Sequence, residues 1–292
     1  MKKLAQEENE VQSKNGYDLL GFFDTSWLVI KKNVRVFTII TSIGVLFNVC
    51  ISTALLFLIV QRIEDDLSTT LTGVVMTVII SLLASTFIYA LQLITYKEAR
   101  REKNVSLSSI LQRSRPYILT LYTYVMATIG ILIMTVALFG AILPNLLILL
   151  IPLGVLAYFN YIFVPNIIFE KKSYGFYERL KKSSQMTKGI YAPLFKFASI
   201  AIVFSLAVSL VLGIIVSPLQ KNSLKVSENT TLVTLSDLKD EQKFKKILRD
   251  KSKQQLNPSY MFATLIQSIS SGFVSLIVLG ALIELYEQRK NK

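Results

Sequence analysis

Along this chain, polar and apolar positions are sorted into long blocks. Six runs carry no charged residue: 36–60, 71–96, 116–143, 144–169, 197–217 and 260–283. A helix rises about 1.5 Å per residue, so about 20 apolar residues cross the hydrocarbon core of a bilayer. The pattern predicts an all-α fold, a polytopic integral membrane helical bundle in one membrane domain over 1–292. Its six transmembrane helices are expected to form three hairpins. Residues 1–35 lack the early apolar core of a cleavable signal peptide, so the first span is expected to stay.

Between the runs the apolar spacing shifts to that of amphipathic helices. In YDLLGFFDTSWLVIKKN, Leu19, Leu20, Phe23, Trp27 and Ile30 gather on one face at 100° per residue, with Asp24 and Lys32 off it. In VSLSSILQRSRPY, Leu107, Ile110 and Leu111 cluster opposite Gln112 and Arg113. In YGFYERLKKSSQMTKGIYAP, Phe176, Tyr177, Leu180 and Tyr191 share a side, while Glu178, Lys181, Lys182 and Gln185 take the other. Each lead-in precedes two spans, which is a threefold repeat. Pro116 and Pro193 start spans after basic lead-ins, where proline suits a first helical turn. The even spans exit through related text: TYKEARREK, FEKKS and LYEQRKNK.

Charge then orients the chain. Of the 32 lysines and arginines, six lie in 1–35, six in 97–115, seven in 171–196 and three after 283. Positive residues favour the cytoplasmic side, so both termini are expected inside the cell membrane. The lead-ins read as helices lying on the inner leaflet, with aromatic rings in the interface and cations toward anionic headgroups. The residues expected to make that contact are Trp27, Lys31, Lys32, Arg113, Arg115, Phe176, Arg179, Lys181, Lys182 and Lys188. Residues 218–259 form the outer loop, with a short helix expected after Ser236.

Catalytic chemistry is hard to find. The chain contains no histidine, which removes Ser–His and Cys–His catalysis and the HExxH metal site. It has no GxxxxGK[ST] phosphate loop and no GxSxG elbow. No enzyme activity, no catalytic or metal-binding residue and no cofactor is expected. The single cysteine, Cys50, lies within the first run and reads as a small packing residue. The polar residues inside the runs are Asn48, Gln92, Asn160, Asn166 and Gln267. An amide in hydrocarbon needs a partner, so these are read as interhelical contacts, with a lined path as the sharper alternative. Pro152 and Pro165 predict kinks in the fourth run, whose freed carbonyls need internal partners. Glu170 and Glu284 are expected to bridge to Lys171, Lys172 and Arg289.

The stretch VPNIIFEKKSYGFYERLKKSSQMTKGIYAPLF and the terminal LGALIELYEQRK resemble the membrane domain attached to bacterial glycerophosphoryl diester phosphodiesterases, and its stand-alone six-span relatives. That resemblance implies an integral membrane protein. The phosphodiesterase activity of the family belongs to a separate soluble domain that uses histidines, so it is not carried over.

The expected function is therefore that of a non-enzymatic multi-pass membrane protein that organises or protects the cytoplasmic membrane. Its expected partners are lipids with anionic headgroups and, secondarily, a membrane protein. Two alternatives stand beside it: a transporter or permease subunit, and an immunity protein against a membrane-active peptide. Nucleic acid is not expected, because the cations flank spans and do not form a soluble binding module.

Overall fold

The computed structural model describes residues 17–62, 67–101, 105–142, 150–170, 174–224 and 256–291, with isolated positions 242, 246, 249 and 253. Among these residues the chain is all-helical, with no strand. The long helical segments are α1 (Leu19–Lys32), α2 (Val34–Arg62), α3 (Leu67–Arg101), α4 (Leu107–Ile142), α5 (Leu150–Tyr161), α6 (Val164–Glu170), α7 (Phe176–Thr187), α8 (Tyr191–Leu224) and α9 (Pro258–Lys290). Among the described residues four stretches are long and apolar enough to cross a membrane: Val34–Phe57, Ile79–Arg101, Tyr191–Pro218 and Pro258–Lys290. Gly154–Glu170 is a shorter apolar stretch.

Two of the expected boundaries change. Pro116 does not open a new helix; it lies inside α4, which joins the lead-in to the run behind it. Proline cannot donate to the carbonyl four residues back, that of Gln112. Gln112 is exposed, so the freed carbonyl is open to solvating groups and the helix continues. Pro218 likewise lies within α8, which stays helical to Leu224. The helix expected after Ser236 falls largely outside the described residues, although positions 242, 246, 249 and 253 are helical.

The chain divides into two compact units. One comprises Met1–Phe37, Tyr89–Val203 and Ser275–Lys292; the other comprises Thr38–Ile88 and Phe204–Val274. In the first, neighbouring faces of α6 and of the turn before it meet two apolar clusters. Phe163 and Ile167 pack with Phe159, Leu194, Leu282 and Leu285, while Val164 and Ile168 pack with Ala90 and Leu121. The Phe163 and Tyr286 rings lie 5.4 Å apart. Such contacts depend on close packing. Backbones therefore approach where side chains are small. At Gly280 a Cβ would collide with the Ser26 hydroxyl and the Tyr96 ring, and Ser26 Oγ donates to the Ile277 carbonyl at 2.9 Å.

Local chemistry sets the ends of the short helices. Asp18 caps α1 by accepting from the Gly21 N–H at 2.9 Å. Glu178 reaches back to accept from the Gly175 N–H at 2.9 Å before α7. The turn from α7 to α8 needs φ +85° at position 189, a conformation open to glycine at little cost. In the second unit, the Thr41 methyl of α2 lies against the bare face of Gly272 on α9, and Ile40, Val45, Val216 and Ala263 are buried.

Candidate functional site

The three related exits turn out to hold one another. Glu170 closes α6, and its Oε2 accepts from the Tyr286 hydroxyl at 3.0 Å and from Lys290 Nζ at 2.9 Å. Its Oε1 lies 3.7 Å from Lys97 Nζ on α3. Lys97 also donates to the Asn166 carbonyl at 3.3 Å and sits 5.4 Å from the centre of the Tyr286 ring. A second set repeats the chemistry with other members. Glu284 Oε1 accepts from the Tyr96 hydroxyl at 3.1 Å and from Arg100 Nε at 2.9 Å, while Arg100 Nη1 lies 3.9 Å from Glu287.

Each set is a tyrosine hydroxyl and a cation on one carboxylate. Tyr96 with Arg100, and Tyr286 with Lys290, occupy i and i+4 on α3 and α9, so both side chains of each pair leave the same helix face. Each glutamate takes its hydroxyl from a different exit: Glu284 from α3, and Glu170 from α9. Glu284, Tyr96 and Tyr286 are buried, so these are pairs with little competition from water. Burial alone would push the Glu170 carboxyl up. The Lys290 ammonium, the Lys97 charge and the Tyr286 hydroxyl outweigh that and hold it below its ordinary value.

Of the partners expected for these acids, only Arg289 falls among the described residues. Lys171 and Lys172 lie outside the described residues. Among the described residues Arg289 engages no carboxylate; it donates to the carbonyls of Met186 at 2.9 Å and Lys188 at 3.1 Å. Those carbonyls close α7, where a cation satisfies orphan acceptors and the negative helix end. The signal that could have identified the sets is the Tyr-x-x-x-cation spacing shared by YKEAR and YEQRK.

The expected kink is a break. α5 stops at Tyr161, two turn residues follow, and α6 begins with Pro165 in its first turn. The freed Asn160 carbonyl accepts from Ser183 Oγ at 2.8 Å. The Asn160 side-chain oxygen accepts from the Tyr191 hydroxyl and, at 3.5 Å, from Thr187 Oγ1. Of the other intramembrane polar candidates, Gln92 and Asn166 are buried, whereas Asn48 and Gln267 are exposed.

The inner-surface candidates divide by face. On α1, Leu19, Ser26 and Ile30 are buried, while Leu20 (67%), Trp27 (50%) and Leu28 (53%) are exposed beside exposed Lys31 and Lys32. On α7 the buried residues are Ser183, Met186 and Thr187. Tyr177 is 75% exposed and shares the outer side with Lys181, Lys182 and Lys188, not the packed side with Leu180. Phe176 is exposed at the helix start, 6.1 Å from the Tyr124 ring. Arg179 is half-buried and Arg115 exposed. Arg113 pairs with Glu98.

No protein-family model, curated protein or solved structure matches the chain.

Proposed function

We propose that the chain is a non-enzymatic multi-pass protein of the cell membrane, with six spans in three hairpins and both termini cytoplasmic. It organises or protects the membrane by holding anionic lipid against its inner surface. The observation that carries this reading is the two-sided character of α1 and α7. One side of each helix is buried. The other presents ring and aliphatic surface (Leu20, Trp27 and Leu28; Tyr177) next to cations (Lys31 and Lys32; Lys181, Lys182 and Lys188). Aromatic surface beside lysine suits the boundary between acyl chains and headgroups, and each cation near an anionic surface contributes about 1 kcal/mol.

The pattern-level resemblance to the membrane domain joined to glycerophosphoryl diester phosphodiesterases accords with this class and brings no catalytic residue with it. The broken α5–α6 segment, which motivates a transporter, fits a structural role better, because Asn160 is committed to Ser183, Thr187 and Tyr191.

The test uses full-length protein in bilayers containing spin-labelled lipids. Anionic lipid should be enriched over phosphatidylcholine at the protein boundary, and Lys181→Glu/Lys182→Glu/Lys188→Glu should remove most of the enrichment. Equal association of both lipids with the unaltered protein sinks the proposal.

A further inference from the structure

Asn166 stands out among the buried groups. It is 0% exposed, yet neither Nδ2 nor Oδ1 has a hydrogen-bond partner among the described residues. Glu170 Oε1, one helical turn further along α6, is also buried without a hydrogen bond. Residues i and i+4 share a helix face, so the amide and the carboxylate stand over one another. Lys97 completes the group, 3.3 Å from the Asn166 carbonyl and 3.7 Å from Glu170 Oε1.

Leaving a buried amide idle is costly, and natural sequences rarely keep one. The occupant must accept from Nδ2 and donate to Oδ1, and it must donate to Glu170 Oε1. A metal cation would crowd Lys97 and Lys290, and an anion would face the negative charge of Glu170. A small neutral molecule with both donors and acceptors meets every requirement. We propose that Asn166, Glu170 and Lys97 form an internal water-binding site at the junction of the three helix exits. The water bridges the amide to the carboxylate and accepts a hydrogen bond from the Lys97 ammonium. This site is independent of lipid binding at α1 and α7.

Proton-detected solid-state NMR of the full chain in bilayers, with ¹⁵N-labelled asparagine, tests the proposal. Asn166→Leu identifies the side-chain amide signal by its loss; Asn166→Ser serves if the leucine variant does not fold. The expected result is rapid transfer of magnetisation from water to the Asn166 amide. An Asn166 amide that receives none overturns the proposal. Thermal unfolding gives a second reading. A water-bridged amide makes Asn166→Leu melt several degrees lower, whereas an idle amide makes it melt at the same temperature or higher, which also overturns the site.

Discussion

The Tyr286 hydroxyl donates to Glu170 across 3.0 Å, tying the end of the last helix to the end of a short helix more than a hundred residues earlier. Lys290, one turn beyond Tyr286, reaches the same oxygen. Removing the hydroxyl and removing the acid should therefore differ in cost. Tyr286→Phe leaves Glu170 with both lysines and should cost about 1 kcal/mol. Glu170→Ala strands Lys97 and Lys290 beside each other and should cost about 3 kcal/mol. Unfolding of the purified protein in mild detergent measures both.

Acid should dissolve this lock. The Glu170 carboxyl is held below its ordinary value, so the stability it adds is fully present above the unfolded value of about 4.3 and fades as pH falls through the folded one. The difference in melting temperature between the unaltered protein and Glu170→Gln should be constant from about pH 7 to 5 and shrink progressively as the pH falls below the unfolded value. A difference that persists into strong acid would contradict the role of the ionised carboxylate.

At the break between α5 and α6, Ser183 is fully buried and its hydroxyl donates to the Asn160 carbonyl. Ser183→Ala should leave that carbonyl unsatisfied and cost about 1–3 kcal/mol. Ser199→Ala is the control: its hydroxyl donates within its own helix, to Phe195, and the loss should be small.

Gly280 has no room for a side chain against Ser26 and Tyr96. Gly280→Ala should cost about 1–3 kcal/mol by overpacking, and Gly280→Ala with Ser26→Gly should recover part of it. Melting curves of the single and double variants decide the matter.

Much of the helical layout was legible because charge-free length is a one-dimensional property. The run 36–60 became a helix from Val34 to Arg62, and Pro165 marked a real break. Pro116 misled because a helix tolerates proline more readily where the freed carbonyl can be solvated, and that depends on which face is outward. The faces of α1 and α7 were only half legible. Periodicity grouped Trp27 and Tyr177 with the apolar residues, but packing at the small residues Ser26 and Ser183 turned other faces inward. The partners of Glu170 lay beyond any local rule, since Lys97 and Lys290 are distant in sequence from Glu170 and from each other. Only the repeated exit text pointed toward them.

The central claim is that the polypeptide is threaded through a membrane with its two tails on the inner side. Single cysteines at Ser13, Ser227 and Asn291, in a Cys50→Ala background, can be probed with a membrane-impermeant maleimide in intact cells and again after the membrane is opened. The account predicts labelling at position 227 alone in intact cells and at all three positions afterwards. Labelling of just one tail in intact cells, or protection of position 227, would contradict it.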